Sequence, residues 1–212
     1  MQKIIWIARH GNRQDFVDTD WKKNAIWPHD PGLSPDGIVQ AKELAARLAK
    51  ENISHIFSSP FLRAIETARE VARVLNLKIK VEAGLSEWLK FEWFFPEPVL
   101  MPMENKIKLF PEIDPLYKSF VTPVYPETVE EMENRVKQAV DCIVHNFTGN
   151  MLFVGHGASV YASASALVGK EHKISTALCS LTKIVRNNND WVLELNGDVS
   201  HLSNSETTIK WN

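Results

Sequence analysis

The sequence has few cysteines, no long apolar run and almost no net charge, and each of these absences excludes a class of protein. Its two cysteines, Cys142 and Cys179, form no CxxC pair, which argues against a disulfide framework and favours a reducing compartment. No stretch approaches the ~20 consecutive apolar residues of a membrane span. The N-terminus also lacks the apolar run and small-residue cleavage site of a signal peptide. We therefore expect a cytoplasmic protein without a membrane segment.

The balance of charges argues against a nucleic-acid surface that works by bulk electrostatics. Lys and Arg number 24 and Asp and Glu number 26, which gives a formal net charge of −2. A local cationic pocket is still compatible with that balance. The chain has 212 residues, of which 44% are hydrophobic, enough for a sizeable core. We expect a single domain over residues 1–212.

Strand-like and helix-like segments alternate along most of the chain. Buried strands are predicted at KIIWIA, HIFSS, LKIKVE and NMLFVG, and the run LTKIVRNNNDWVLELNG has the pattern of a hairpin. Helices are predicted after three of these strands and at TVEEMENRVKQAVDCIVHNF, with Ser34 and Ser59 as N-caps of the first two. The first helix should bury Ile38, Ala41, Ala45 and Leu48. This alternation predicts an α/β fold, a three-layer α/β/α sandwich with a mainly parallel sheet.

Residues 88–127 do not follow this alternation. They contain seven prolines and the dense aromatic run WLKFEWFFPEP. A flexible linker rarely carries so many aromatic side chains, so we interpret the segment as an insertion in the domain.

Charged or titratable side chains follow four of the predicted strands. In an open α/β sheet, ligands bind beyond the carboxyl ends of the strands, so we expect these side chains to converge at one edge. Each of them alone has an ordinary structural explanation, and only their joint placement points to a site. They are Arg9, His10, Arg13, Arg63, Glu87 and His156.

This set of side chains fits phosphoryl transfer. Arginine binds phosphate oxygens through rigid bidentate forks, and several arginines can neutralise charge as Mg²⁺ does in other enzymes. A neutral imidazole among such cations should have a lowered pKa, which keeps its lone pair free to attack phosphorus. Glu87, beside Trp88, should be partly desolvated and able to give a proton to the leaving oxygen.

Four segments carry a resemblance to a known family. In order and spacing, ARHGNR, SSPFLRAIETA, GLSEW and VGHGAS resemble the signature segments of the histidine phosphatase superfamily, also called phosphoglycerate-mutase-like. The similarity spans about residues 3–170. It implies a covalent phosphohistidine at His10 and Glu87 as proton donor and then as base for water. It also implies a phosphate pocket without metal or cofactor, formed by Arg9, Arg13, Arg63 and His156.

Within that family, the sequence favours a phosphatase over a mutase. Cofactor-dependent mutases carry an asparagine where this chain has Phe16, and they have a different segment where this chain has EWLKFEW. Arg13, three residues after the nucleophile, is similar to the acid-phosphatase arrangement. Asn12 replaces the commoner Glu or Gln, and the sequence gives no account of that change. We predict a metal-independent hydrolase of small-molecule phosphate monoesters; the alternatives are a phosphoglycerate mutase and a non-catalytic phosphate-binding or interaction module.

The aromatic side chains of the insertion have three interpretations. They could wall a pocket for a hydrophobic or aromatic ester, pack the insertion onto the sheet, or bury a dimer interface. Packing is favoured, because aromatic residues are mostly found in cores. The oligomeric state stays open, with a homodimer as one alternative. The residues concerned are Trp88, Phe91, Trp93, Phe94 and Phe95.

Overall fold

The computed structural model describes residues 3–188 and 190–204. Its strands are β1 (Ile4–Arg9), β2 (Ile53–Ser58), β3 (Ile79–Val81), β4 (Asn150–Gly155), β5 (Leu181–Asn187) and β6 (Asp190–Asp198). Its helices are α1 (Trp21–Asn24), α2 (Pro35–Leu48), α3 (Leu62–Leu75), α4 (Met103–Leu109), α5 (Val129–Asn146) and α6 (Gly157–Val168). None of the helices in the described ranges is long and apolar enough to cross a membrane.

The strands form one six-stranded sheet in the order β3-β2-β4-β1-β5-β6. The first four of these are mutually parallel, and β5 and β6 add an antiparallel hairpin at one edge. The carboxyl ends of β1, β2, β3 and β4 therefore lie on the same side of the sheet. This side is where the side chains that follow those strands meet.

The sheet is covered on both faces, which makes the predicted three layers. Trp6 and Ala8 of β1 belong to a buried cluster with α2 and α3. Their neighbours Ile5 and Ile7 belong to a second cluster with α5 and α6. Because successive side chains of a strand point to opposite faces, a continuous apolar strand such as β1 requires helices on both sides. The predicted fold class is confirmed.

Some local predictions about the helices and strands were wrong in detail. Ser34 caps α2 by accepting a hydrogen bond from the Gly37 N–H at 3.2 Å, as predicted. Ile38 on that helix is 41% exposed, however, and Leu44 takes its place in the core. Ser59 does not cap α3, which begins at Leu62 and has Phe61 as its N-cap residue. The third strand is only Ile79–Val81, shorter than the run LKIKVE.

The segment 88–127 contains one helix, α4, and is tied to the sheet at two places. Phe94 packs on Phe61, at the start of α3. The carboxylate of Glu82 accepts hydrogen bonds from the Tyr117 hydroxyl at 2.7 Å and the Phe120 N–H at 2.9 Å. These contacts fix both halves of the segment above the carboxyl ends of the strands. That the whole of residues 1–212 forms one domain stays a prediction.

Candidate active site

His10 lies directly after β1 and is fully buried. Its backbone is held on both sides, since its N–H donates to the Gly155 carbonyl at 3.0 Å and its carbonyl accepts from the Cys179 N–H at 3.1 Å. The ring Nδ1 lies 2.7 Å from the Gly11 carbonyl. A carbonyl can only accept, so Nδ1 carries the proton. Nε2 then keeps its lone pair in the neutral ring, and no described residue bonds to it.

The loop after His10 is fixed against the start of α2. A Cβ on Gly37 would lie 2.1 Å from the Asn12 carbonyl oxygen, so only glycine allows this approach. The Asn12 side chain donates to Asp36 at 2.7 Å and accepts from the Arg13 N–H at 3.0 Å. Asn12, for which the sequence offered no account, therefore connects the loop after His10 to α2.

Arg63 is the most completely buried cation of the site. It lies in the first turn of α3, with 0% of its surface exposed, and its guanidinium stacks over Phe61 at 4.6 Å. None of its three side-chain nitrogens has a hydrogen-bond partner among the described residues. Burial first, and then neighbouring Arg13, lowers the pKa of Arg63 to about 9, which leaves it charged near pH 7. A buried cation with open donors is a receptor for an anion.

Arg9 and Arg13 bring two further guanidinium groups to the site. Arg9 donates to the Thr176 carbonyl at 2.8 Å, and burial lowers its pKa to about 10. Arg13 forms a two-point ion pair with Asp15, through Nε at 2.8 Å and Nη2 at 2.5 Å. Asp15 was not singled out in the sequence, and it offsets part of the charge that Arg13 brings.

His156 faces His10 across the site. It caps the N-terminus of α6, is fully buried, and its ring centroid lies 5.2 Å from that of His10. Its Nε2 lies 2.7 Å from the Ser59 hydroxyl oxygen. Ser59, predicted as a helix cap, instead helps to orient this ring. The two imidazoles thus contact each other edge to face, and the charge of Arg63 acts on both.

Burial and the arginines have the same effect on both imidazoles. Desolvation, followed by the charge of Arg63, lowers the pKa of His10 well below its usual value. The same two causes, in the same order, lower the pKa of His156. Both rings are therefore neutral near pH 7, and the pocket's positive charge comes from arginine.

Glu87 is 5% exposed and lies beside both His156 and Arg63. Its Oε2 is 3.5 Å from His156 Nδ1 and 3.7 Å from Arg63 Nη2. Nitrogen and oxygen atoms of His10, Glu87 and His156 come within 4.8 Å of one another, a grouping that by donor type would also suit a metal ion. The surrounding guanidinium groups repel a cation, and their charge favours an anion such as phosphate.

An arginine of α5 holds the loop that carries Glu87, and it was not among the candidate site residues. Arg135 is buried, unlike most charged residues of this helix. It pairs with Glu127 through Nε at 2.5 Å and donates to the carbonyls of Gly84 at 2.8 Å and Glu87 at 3.1 Å. It lies three residues after Met132 and four before Ala139, which are both buried, and this spacing was the signal that it is not a surface residue.

Comparisons with known proteins agree with this geometry. The chain is 29% identical over 257 residues to the transcription factor tau 55 kDa subunit of Saccharomyces cerevisiae, covering 98% of this chain and 58% of that protein. It is 30% identical over 170 residues to putative phosphoserine phosphatase 2 of Hydrogenobacter thermophilus, covering 79% of each. Among solved structures, it resembles the ecdysone phosphate phosphatase of Bombyx mori in complex with tungstate. That match has a TM-score of 0.75 and 22% identity, and covers 99% of this chain and 97% of the other.

This chain spans only part of several curated relatives, but a family model matches nearly all of it. The chain spans 58% of the yeast protein and 31% of two further curated relatives. The family model of the histidine phosphatase superfamily (branch 1) matches residues 5–199, which include every side chain of the site. This protein therefore belongs to the histidine phosphatase superfamily.

Proposed function

We propose that this chain is a metal-independent phosphomonoester hydrolase that works through a phosphohistidine on His10. The observation that carries the proposal is a neutral His10 Nε2 without a partner among the described residues, in a ring whose pKa is lowered by the charge of nearby Arg63. The names of two similar proteins, a phosphoserine phosphatase and an ecdysone phosphate phosphatase, support hydrolysis. The tungstate in the latter is a tetrahedral oxyanion, like phosphate.

The first step forms the phosphohistidine. The lone pair of His10 Nε2 attacks phosphorus, the bond between phosphorus and the ester oxygen breaks, and protonated Glu87 gives its proton to that oxygen. The released alcohol is neutral and Glu87 becomes a carboxylate. The hydrogen bond from Nδ1–H to the Gly11 carbonyl stabilises the positive charge that the ring gains.

The second step returns the enzyme to its starting state. A water molecule attacks phosphorus, its proton goes to the Glu87 carboxylate, and the bond between phosphorus and Nε2 breaks. Inorganic phosphate is released, His10 is neutral again and Glu87 is again protonated. In both steps Arg63, Arg9 and Arg13 would bind the equatorial oxygens, which is the role that a metal ion has elsewhere.

Replacement of the nucleophile tests the mechanism. His10→Ala should lower kcat/KM for p-nitrophenyl phosphate by ~10³-fold or more, because no other group is placed to form the intermediate. The wild-type protein, stopped with base during turnover, should carry an acid-labile phosphoryl group that the variant lacks. His145→Ala is the matched control, since His145 is exposed at the end of α5. Turnover by the His10 variant at the wild-type rate would refute the phosphohistidine.

Two other functions are distinguished by further assays. A phosphoglycerate mutase would interconvert 2- and 3-phosphoglycerate faster than it releases phosphate. Phe16, at the position of the mutase asparagine, stacks under Arg13 at 4.3 Å and supplies no amide there, which favours the hydrolase. The name of the yeast relative, a transcription factor subunit, is that of a protein with a binding role. A non-catalytic binding module would bind phosphate or vanadate without hydrolysing any ester.

We further propose a small-molecule substrate and a cytoplasmic location. The free thiols of Cys142 and Cys179 support a reducing compartment, and the net charge of −2 does not favour nucleic acid as a partner. The homodimer stays a prediction, which analytical ultracentrifugation can test.

A further inference from the structure

A cavity of about 570 Å³ lies beside the candidate active site. Its wall includes close neighbours, along the chain, of two site residues and a hydrogen-bond partner of a third. Ala158 is in the first turn of α6, two residues after His156, and Trp88 directly follows Glu87. Thr176, on a third side, gives its carbonyl to Arg9 at 2.8 Å. The cavity therefore lies next to the residues that carry Glu87, His156 and Arg9.

The inner walls of this cavity are apolar. They include Trp88, Trp93, Met132, Ala158, Tyr161 and Ile174. The two tryptophan rings meet edge to face, with centroids 5.3 Å apart. Met132 and Ile174 also belong to the buried cluster under α5 and α6, so the floor of the cavity is continuous with the core.

The charged groups of the cavity are ill placed to receive an ionic leaving group. Glu133 is already paired with Lys170, and Lys173 is exposed. Trp93 also lines a second cavity of about 300 Å³, whose walls carry groups of both charges: Arg13, Asp15, Lys22, His29 and Glu92. An anionic or zwitterionic alcohol group would be better accommodated there than among tryptophan, methionine and isoleucine, where burying its charges is costly.

We propose that the apolar cavity binds the organic part of the substrate, and that the substrate is the phosphate ester of an uncharged, apolar alcohol or phenol. This inference rests on the proposed function, because it takes His10 and Arg63 as the place of the phosphate. Pockets of this size with apolar walls and a few polar groups at one end are typical of small-molecule sites. Burial of apolar surface supplies the affinity, and the arginines fix the orientation.

A series of alkylphosphonates tests the inference without requiring turnover. Ethyl-, butyl-, hexyl- and octylphosphonate have the same head group and differ only in apolar length. Full burial of a methylene group raises affinity about fourfold, so even partial burial of the six additional groups should make octylphosphonate bind at least ~30-fold tighter than ethylphosphonate. Calorimetric titration of the wild-type protein measures this ratio. Equal affinities, or tighter binding of phosphoserine than of octylphosphonate, would overturn the inference.

Substitutions locate the effect within the cavity. Trp93→Gln and Tyr161→Gln place an amide in two different walls, and each should reduce the octyl-to-ethyl ratio by at least ~10-fold. Trp191→Gln is the matched control, because Trp191 is a half-buried tryptophan on β6 that does not line the cavity. A ratio that falls equally in the control would show that the cavity is not where the chains bind.

Turnover separates the failure of this inference from that of the proposed function. If the protein hydrolyses ethyl and octyl phosphate with equal kcat/KM and the phosphonates also bind equally, the hydrolase stands and the apolar specificity is refuted. If it hydrolyses neither ester but binds octylphosphonate much more tightly, the cavity has the proposed ligand class and the hydrolase is refuted.

Discussion

At the scale of single residues, the protonation of two imidazoles links the chemistry of the site to its stability. The Gly11 carbonyl fixes the proton of His10 on Nδ1. Burial and Arg63 lower the pKa values of both His10 and His156 well below 6.5, so neither ring takes up a proton in the folded state near neutral pH. In the unfolded chain both rings titrate near 6.5.

Stability should therefore fall as the pH is lowered through 6.5. Below this pH the unfolded chain binds protons at both positions and the folded protein does not, so the free energy of unfolding decreases by up to about 1.4 kcal/mol per pH unit for each ring. The contribution of the two neutral rings to the free energy of unfolding is fully present above pH 6.5 and is lost as the pH falls below that value. Denaturant unfolding between pH 7.5 and 5.5 measures the slope, and His10→Asn and His156→Asn should each reduce it. The exposed His145→Asn serves as control, and a slope unchanged in both site variants would contradict the prediction.

The shape of the Arg63 side chain is a second property of a single residue. A planar fork can hold two phosphate oxygens, whereas a lysine supplies only a point charge. Arg63→Lys should therefore lower kcat/KM for p-nitrophenyl phosphate by ~10²-fold, and Arg63→Met by more. Arg73→Lys, on the exposed side of the same helix, is the control. Full activity in Arg63→Lys would mean that charge alone suffices.

At the scale of elements, the loop after β3 depends on α5 for its position. Arg135 donates to the carbonyls of Gly84, Ser86 and Glu87, while Glu127 balances its charge. The carboxylate of Glu127 also accepts the Leu89 N–H at 3.2 Å. The loop after β3 has little regular structure, and these hydrogen bonds from α5 hold it in a fixed position. The position of Glu87 follows from this contact.

Arg135→Lys should reduce proton donation by Glu87 without removing the buried charge. A misplacement of about 1 Å can cost ~10²-fold in rate. The loss should be large for an alkyl phosphate, whose leaving oxygen needs a proton, and small for p-nitrophenyl phosphate, whose leaving group is stable as an anion. The ratio of the two kcat/KM values is the readout, with Arg47→Lys on α2 as control. Equal losses on both esters would indicate a general effect on folding.

At the scale of the whole molecule, a buried ion pair joins three distant parts of the chain. Lys106 of α4 binds Asp30 at 2.8 Å and donates to the Pro60 carbonyl at 2.6 Å. Asp30 also accepts the Leu62 N–H, at the start of α3, at 2.7 Å. The loop after β1, the insertion and the helix that carries Arg63 are thus fixed to one another. Such a pair is specific in its geometry and costly to break on one side only.

Much of the site could be predicted from the sequence because its residues follow strands. Arg9, His10 and His156 come at strand ends, and parallel strands bring their carboxyl ends to one edge of the sheet. The continuous apolar runs similarly predicted a sheet covered on both faces. These properties are local in the chain, and so the pattern of residues determines them.

Contacts between distant segments were decided only by the tertiary structure. Ser59 against His156 and Arg135 against the Glu87 loop leave no periodic signal in the sequence. The same holds for the apolar cavity, since aromatic residues at 88–95 pack, line a wall or lie exposed according to what faces them. Phe94 is buried, Trp88 and Trp93 line the cavity, and Phe95 is 72% exposed. The sequence alone determined which chemistry is available, and the packing of remote elements determined where each group points, because burial is a property of neighbours and not of a residue.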